Sequence, residues 1–165
     1  MAKLQASRGA QYPLVEEFTF GFQNWVVDST NGVKETFGAT VAASTDPAEP
    51  MLTGPVANTV TFDAMNIPRG AVVFGGEVIV EQAYVGPTAA TLSVGIAGTP
   101  NALANGVDLK TAGRTALSLT SPLVMNDGQN IRLTMAYTVA NATAGKVRVR
   151  VLFTIDGRIH EPITN

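Results

Sequence analysis

The chain has no cysteine, which removes disulfides, thiolate nucleophiles and Cys-type zinc sites from consideration and leaves the redox compartment unreadable. Charge is also scarce: Asp, Glu, Lys and Arg make up 15% of the 165 residues, against roughly 25% in an ordinary soluble domain. Aromatic residues account for only 7% and histidine occurs once. There is no run of about 18 apolar residues, so no membrane-spanning helix is expected. The opening Met-Ala-Lys-Leu-Gln-Ala-Ser-Arg lacks the apolar core of a cleaved export signal. With Lys+Arg 11 against Asp+Glu 13, the net charge of -2 gives no field able to hold a phosphate backbone. Nucleic acid and membrane are therefore not expected partners.

Alanine, threonine, valine and glycine fill the space left by charge. A surface so poor in charge can be covered by neighbouring subunits without large desolvation costs. This favours a subunit of an assembly over a free monomer. The length suits one domain.

Apolar and polar residues alternate with period two again and again, the mark of half-buried strands. In Lys146 to Asp156, Val147, Val149, Val151, Phe153 and Ile155 point one way while Lys146, Arg148, Arg150 and Thr154 point the other. Ile131, Leu133, Met135, Tyr137 and Val139 form a similar row. The small, polar stretch between the two predicts that they pair as a hairpin. Further strands are expected at Phe18 to Phe22, Val60 to Ala64, Ala71 to Tyr84 and Leu92 to Ile96, with weaker ones near Val33 to Val41 and Arg114 to Leu119. Gly75-Gly76 inside the long strand marks a bulge or a close backbone approach.

Turn signals separate these runs at Ile67-Pro68-Arg69-Gly70, Val85-Gly86-Pro87, Asn126-Asp127-Gly128 and Asp156-Gly157. Gly98 to Gly113 shows no strand pattern, and Pro100 to Asn105 reads as a single helical turn. Thr40 to Pro55 reads as an exposed loop. The expected architecture is all-β: a jelly roll or antiparallel β-sandwich of about eight strands over residues 14–157. An extended N-terminal arm (1–13) precedes it and a tail (158–165) follows.

No catalytic constellation emerges. His160 lies in a polar tail near Asp156 and Glu161, without the G-x-S-x-G elbow that would accompany a nucleophilic serine. Glu77 and Glu81, four apart on a strand, are separated by about 13 Å, too far for either glycosidase geometry. They read instead as surface or interface charges, positioned to pair with Arg132, Arg148 or Arg150. Those three arginines read as a short basic stripe facing a partner, and Lys3 and Arg8 as basic contacts of the arm. Trp25 reads as either a core plug or an interface anchor, and the apolar run continued by its flanking valines favours the core. No P-loop, EF-hand or metal-ligand spacing is present in the sequence, and no cofactor is expected.

Four phrases carry a resemblance. Met65-Asn66-Ile67-Pro68-Arg69-Gly70-Ala71-Val72-Val73, Gly75-Gly76-Glu77-Val78-Ile79-Val80, Asp108 to Leu117, and Ala144-Gly145-Lys146-Val147-Arg148-Val149 through Arg158 resemble the small β capsid decoration, or cement, proteins of tailed bacteriophages. The likeness spans roughly Val60 to Arg158. It implies a jelly roll with no active site, made in the host cytoplasm and seated on the outer surface of the head. There it would bridge major capsid protein subunits as a homodimer or homotrimer. Tail or fibre-associated subunits are the nearest alternative. A carbohydrate-binding β-sandwich is a more distant one, since it would need aromatic side chains on an exposed face.

Overall fold

The computed structural model describes residues 12–32, 34–38, 59–138 and 141–155. Among these there is no helix, and eleven strands run in the order β1 (Leu14–Gly21), β2 (Trp25–Val27), β3 (Lys34–Thr36), β4 (Thr59–Asn66), β5 (Ala71–Val85), β6 (Ala90–Ile96), β7 (Thr99–Asp108), β8 (Gly113–Ala116), β9 (Leu123–Met125), β10 (Asn130–Tyr137) and β11 (Ala144–Ile155). The first sheet has the order β1-β11-β5-β8, with β9 pairing a second stretch of β5; the second has the order β4-β10-β6-β7; β2 and β3 form a separate hairpin. Every pairing is antiparallel. The result is an antiparallel β-sandwich of the jelly-roll class, with eleven strands where about eight were expected.

Alternation builds the core. Val147, Val149, Val151 and Phe153 of β11 turn inward, as do Ile131, Leu133, Met135 and Tyr137 of β10, all 6% exposed or less. Each such side chain contributes about 1.5–3 kcal/mol through burial. Phe18 and Phe20 from β1, Phe62 from β4 and Phe37 after β3 form an aromatic cluster with centroid separations of 4.5–6.1 Å. This cluster joins the first sheet, the second sheet and the hairpin.

The expected β10–β11 hairpin does not form. β10 lies between β4 and β6 in the second sheet, whereas β11 lies between β1 and β5 in the first. Alternation shows that a strand has one buried face but does not select its neighbours. Each of these strands is flanked on both sides, so the short connection crosses between sheets.

The expected helical turn at Pro100 to Asn105 is instead part of β7. Register shifts against β6 occur between Leu92 and Val94 and between Val94 and Ile96. They place Ala104 and Val107, three residues apart, both on the buried side. Gly106, at φ 61°, supplies the bulge and donates its N–H to Ser93 Oγ at 3.1 Å. That insertion erases the period of two from the sequence.

Gly75-Gly76 acts as expected. The β5–β11 register shifts between Leu152 and Phe153, leaving Phe74 without an opposite residue. Gly76 adopts φ 144°, and a Cβ there would lie 2.1 Å from the Arg150 carbonyl oxygen. Only glycine permits this approach.

Candidate functional site

The outer face of the first sheet carries a charged constellation that links strands β1, β11, β5 and β8. Glu17 of β1 is opposite Arg150 of β11, which is in turn opposite Glu77 of β5. Arg150 Nε donates to Glu17 Oε2 at 2.5 Å, and its Nη1 lies 3.5 Å from Glu77 Oε1. On the far side of Glu77, Arg114 Nη1 of β8 reaches Oε1 at 2.8 Å and Oε2 at 3.1 Å. Toward the other end of the sheet, Arg148 pairs with Glu17 at 3.3 Å and also with Glu81. Lys146 Nζ lies 2.8 Å from Glu81 Oε2.

Seven charges thus form one chain of alternating sign: Lys146, Glu81, Arg148, Glu17, Arg150, Glu77 and Arg114. Four cations against three carboxylates leave one net positive charge. The hydrogen bond from Lys146 holds the Glu81 carboxyl below its ordinary range against the opposing effect of desolvation, with Arg148 adding to the shift. Individual exposed pairs contribute little to stability, because solvent screens them and fixing two long side chains costs entropy. Sharing each of the five interior side chains between two partners reduces the entropy cost of fixing it.

Glu77 and Glu81 therefore meet Arg150 and Arg148 as their strand faces require, but Arg132 is elsewhere. It lies on the second sheet, where Nε donates to Asp63 Oδ1 at 2.8 Å and Nη2 to Oδ2 at 3.3 Å. That hydrogen bond, outweighing desolvation, lowers the Asp63 pKa. The basic stripe of Arg132, Arg148 and Arg150 is thus corrected to two separate ion-pair systems, because β10 and β11 belong to different sheets. Sequence reading missed Glu17, Arg114 and Lys146 as members of the network. The placement of Glu17 on the polar side of the Phe18–Phe20 alternation was the available signal. Lys3, Arg8 and His160 lie outside the described residues.

Next to the charges runs an apolar strip. Val15, Phe74 and Val124 are 54%, 42% and 49% exposed, and half-buried Leu152 lies between the strands that carry Val15 and Phe74. An open depression of about 760 Å³ adjoins it, lined by Val15, Leu152, Gly76 and Ala116 together with Glu77 and Arg150.

Trp25 is a correction: it is 56% exposed, not in the core. β2 belongs to neither large sheet, and its alternation places half-buried Val26 toward the interior while Trp25 and Val27 face outward. Lys34 Nζ lies 3.8 Å from the centroid of the indole. On the inner side of the hairpin, Asp28 accepts hydrogen bonds from Thr30 N–H at 2.6 Å, Thr30 Oγ1 at 2.5 Å and Thr61 N–H at 2.8 Å. These tie the hairpin to β4. Burial works against ionisation of Asp28, but the hydrogen bonds prevail and lower its pKa.

Glu35 is buried with Oε1 accepting from Asn31 Nδ2 at 3.3 Å and Oε2 without a partner. Desolvation, with the Asp28 charge adding to it, raises its pKa. Tyr137 is pushed up to about 12 by burial and by the nearby Glu35 charge. Among the described residues no three His, Cys, Asp or Glu side chains form a group able to hold a metal ion.

No protein-family model matches the sequence, and no curated protein matches it. Among solved structures, the fold is similar to a chain of the cyanophage Pam1 capsid asymmetric unit, with a TM-score of 0.53 and 19% identity over 93% of this chain and 94% of that one. At that identity the likeness establishes the shared fold.

Proposed function

We propose that the chain is a structural virion protein of a tailed bacteriophage that binds the outer surface of the head and bridges neighbouring major capsid protein subunits, without enzymatic activity. The observation that carries this reading is the fold likeness along nearly the full length of both chains to a component of a phage capsid asymmetric unit. The outer face supports it: the carboxylates Glu17, Glu77 and Glu81 are all held in ion pairs, as suits a docking surface more than acid-base chemistry. A subunit that binds only the assembled shell stabilises that state by its binding free energy at every equivalent site.

The test is co-sedimentation of the purified full chain with expanded heads lacking it. Saturable binding, with heads that then resist heat or low salt better, is the expected result. Binding to tails alone would transfer the protein to the tail, the nearest alternative. The exposed ring of Trp25 favours a sugar-binding module as a second reading, but the Lys34 ammonium already covers part of the surface a pyranose would stack on. Strong, selective binding on a glycan array would promote that reading.

A further inference from the structure

We infer that the outer face of the first sheet is the interface of a face-to-face homodimer of this chain, its two-fold axis lying along the strand direction between β11 and β5. The inference rests on the geometry of the face and deepens the assembly reading by naming a second copy as the partner of this surface.

Across the strands β1, β11, β5 and β8, the charged groups follow the order Glu17, Arg150, Glu77, Arg114, each linked to the next. An even-numbered row of alternating sign is complementary to its own reversal. Rotation about the proposed axis exchanges β1 with β8 and β11 with β5 while preserving position along the strands. Arg150 then faces Glu77 of the second copy, and Glu17 faces the guanidinium of Arg114 of the second copy, which reaches from its position opposite Ile79 back to the level of Glu77. All four charges meet the opposite sign.

The same rotation brings the centre of the apolar strip onto its counterpart in the second copy. Leu152 faces Phe74 of the second copy, while Val15, level with Gly75, and Val124, level with Val72, are offset by two residues along β11 and flank that contact. The side chain of Phe74, lifted by the β5 bulge, then sits at the edge of the depression beside Leu152. A two-fold axis across the strands would instead lay the apolar strip over Lys146 and Glu81, stranding charge against hydrocarbon. A uniformly acidic or basic partner would meet the wrong sign at every second position of the row. Both comparisons select a second copy. Sheets packed in this way sit about 10 Å apart with strands aligned to within about 30°.

The experiment uses the full chain. Sedimentation equilibrium should show a monomer–dimer equilibrium, and Val124→Glu should raise the dissociation constant at least tenfold while leaving the circular dichroism spectrum and melting curve of the monomer unchanged. Because the chain has no cysteine, Leu152→Cys provides a clean probe. Its two copies lie one strand spacing apart across the axis, about 4.8 Å laterally, and a short bismaleimide should join them efficiently. Val124→Cys copies, about three spacings apart, should join poorly. A wild-type chain that remains monomeric at high concentration, or an oligomer indifferent to Val124→Glu and not cross-linked through Leu152→Cys, would overturn the inference. Head binding by a monomer would defeat this proposal alone, and a dimer that ignores heads would defeat only the capsid reading.

Discussion

Phe62→Ala is the most informative single change to the sandwich. Phe62 is 2% exposed and lies 5.6 Å from Phe18, 5.9 Å from Phe20 and 5.0 Å from Phe37, ring centroid to ring centroid. It comes from the second sheet, Phe18 and Phe20 from the first, and Phe37 follows the hairpin, so one side chain ties three parts of the structure. Removing the ring forfeits a transfer free energy of about 2 kcal/mol. A residual void of roughly 100 Å³ costs about 2.4 kcal/mol more. The expected destabilisation is thus about 4–5 kcal/mol, a large part of the ~5–15 kcal/mol that holds a typical domain together. Urea unfolding followed by circular dichroism measures it. Thr19→Ala, at an exposed position between Phe18 and Phe20, should change stability by no more than about 0.5 kcal/mol. A Phe62→Ala loss below about 1 kcal/mol would show that the cluster does not hold the sheets together.

Other substitutions test other parts. Val149→Asp places an unpaired carboxylate among fully buried side chains and should abolish cooperative folding, whereas Arg148→Ala should leave the fold intact; equal solubility and cooperativity of the two would reverse the assigned faces of β11. Gly145→Ala sets a methyl 2.5 Å from the Tyr84 ring at φ 147° and should cost at least about 1–3 kcal/mol, read as a lower melting temperature. The lowered pKa of Asp28 gives stability that is present above its unfolded value near 3.9 and is lost as pH falls through the folded value. Asp28→Asn should therefore cost about 1–3 kcal/mol at pH 7, with a gap from wild type that narrows in melts toward pH 3. The raised pKa of Glu35 has the opposite sign: its stability is present below about 4.3 and declines as pH rises through the folded value. Glu35→Gln should accordingly raise the melting temperature at pH 7 and have little effect at pH 4; a lower melting temperature at pH 7 would refute the assignment.

The strand faces were legible in the sequence wherever the period of two was unbroken. Val147, Val149, Val151 and Phe153 face the core, with Arg148 and Arg150 opposite, as read. The pairing of Glu77 and Glu81 with those arginines followed from the same alternation. Legibility ended where a bulge intervened, as at Gly106 in β7, or where neighbours had to be chosen, as for β10 and β11. Periodicity carries no information about which sheet a strand joins, so Arg132 was placed in the wrong company. Trp25 was misread because apolar neighbours suggest burial only for a strand covered on both faces, and β2 is not.

Attachment of this chain to the outside of the head is most directly tested by a reconstruction of the virion at side-chain resolution. It predicts two-sheet density of this fold on the outside of the head, spanning adjacent shell subunits. Density confined to the tail, or heads fully assembled and stable with no copy of the chain present, would contradict it.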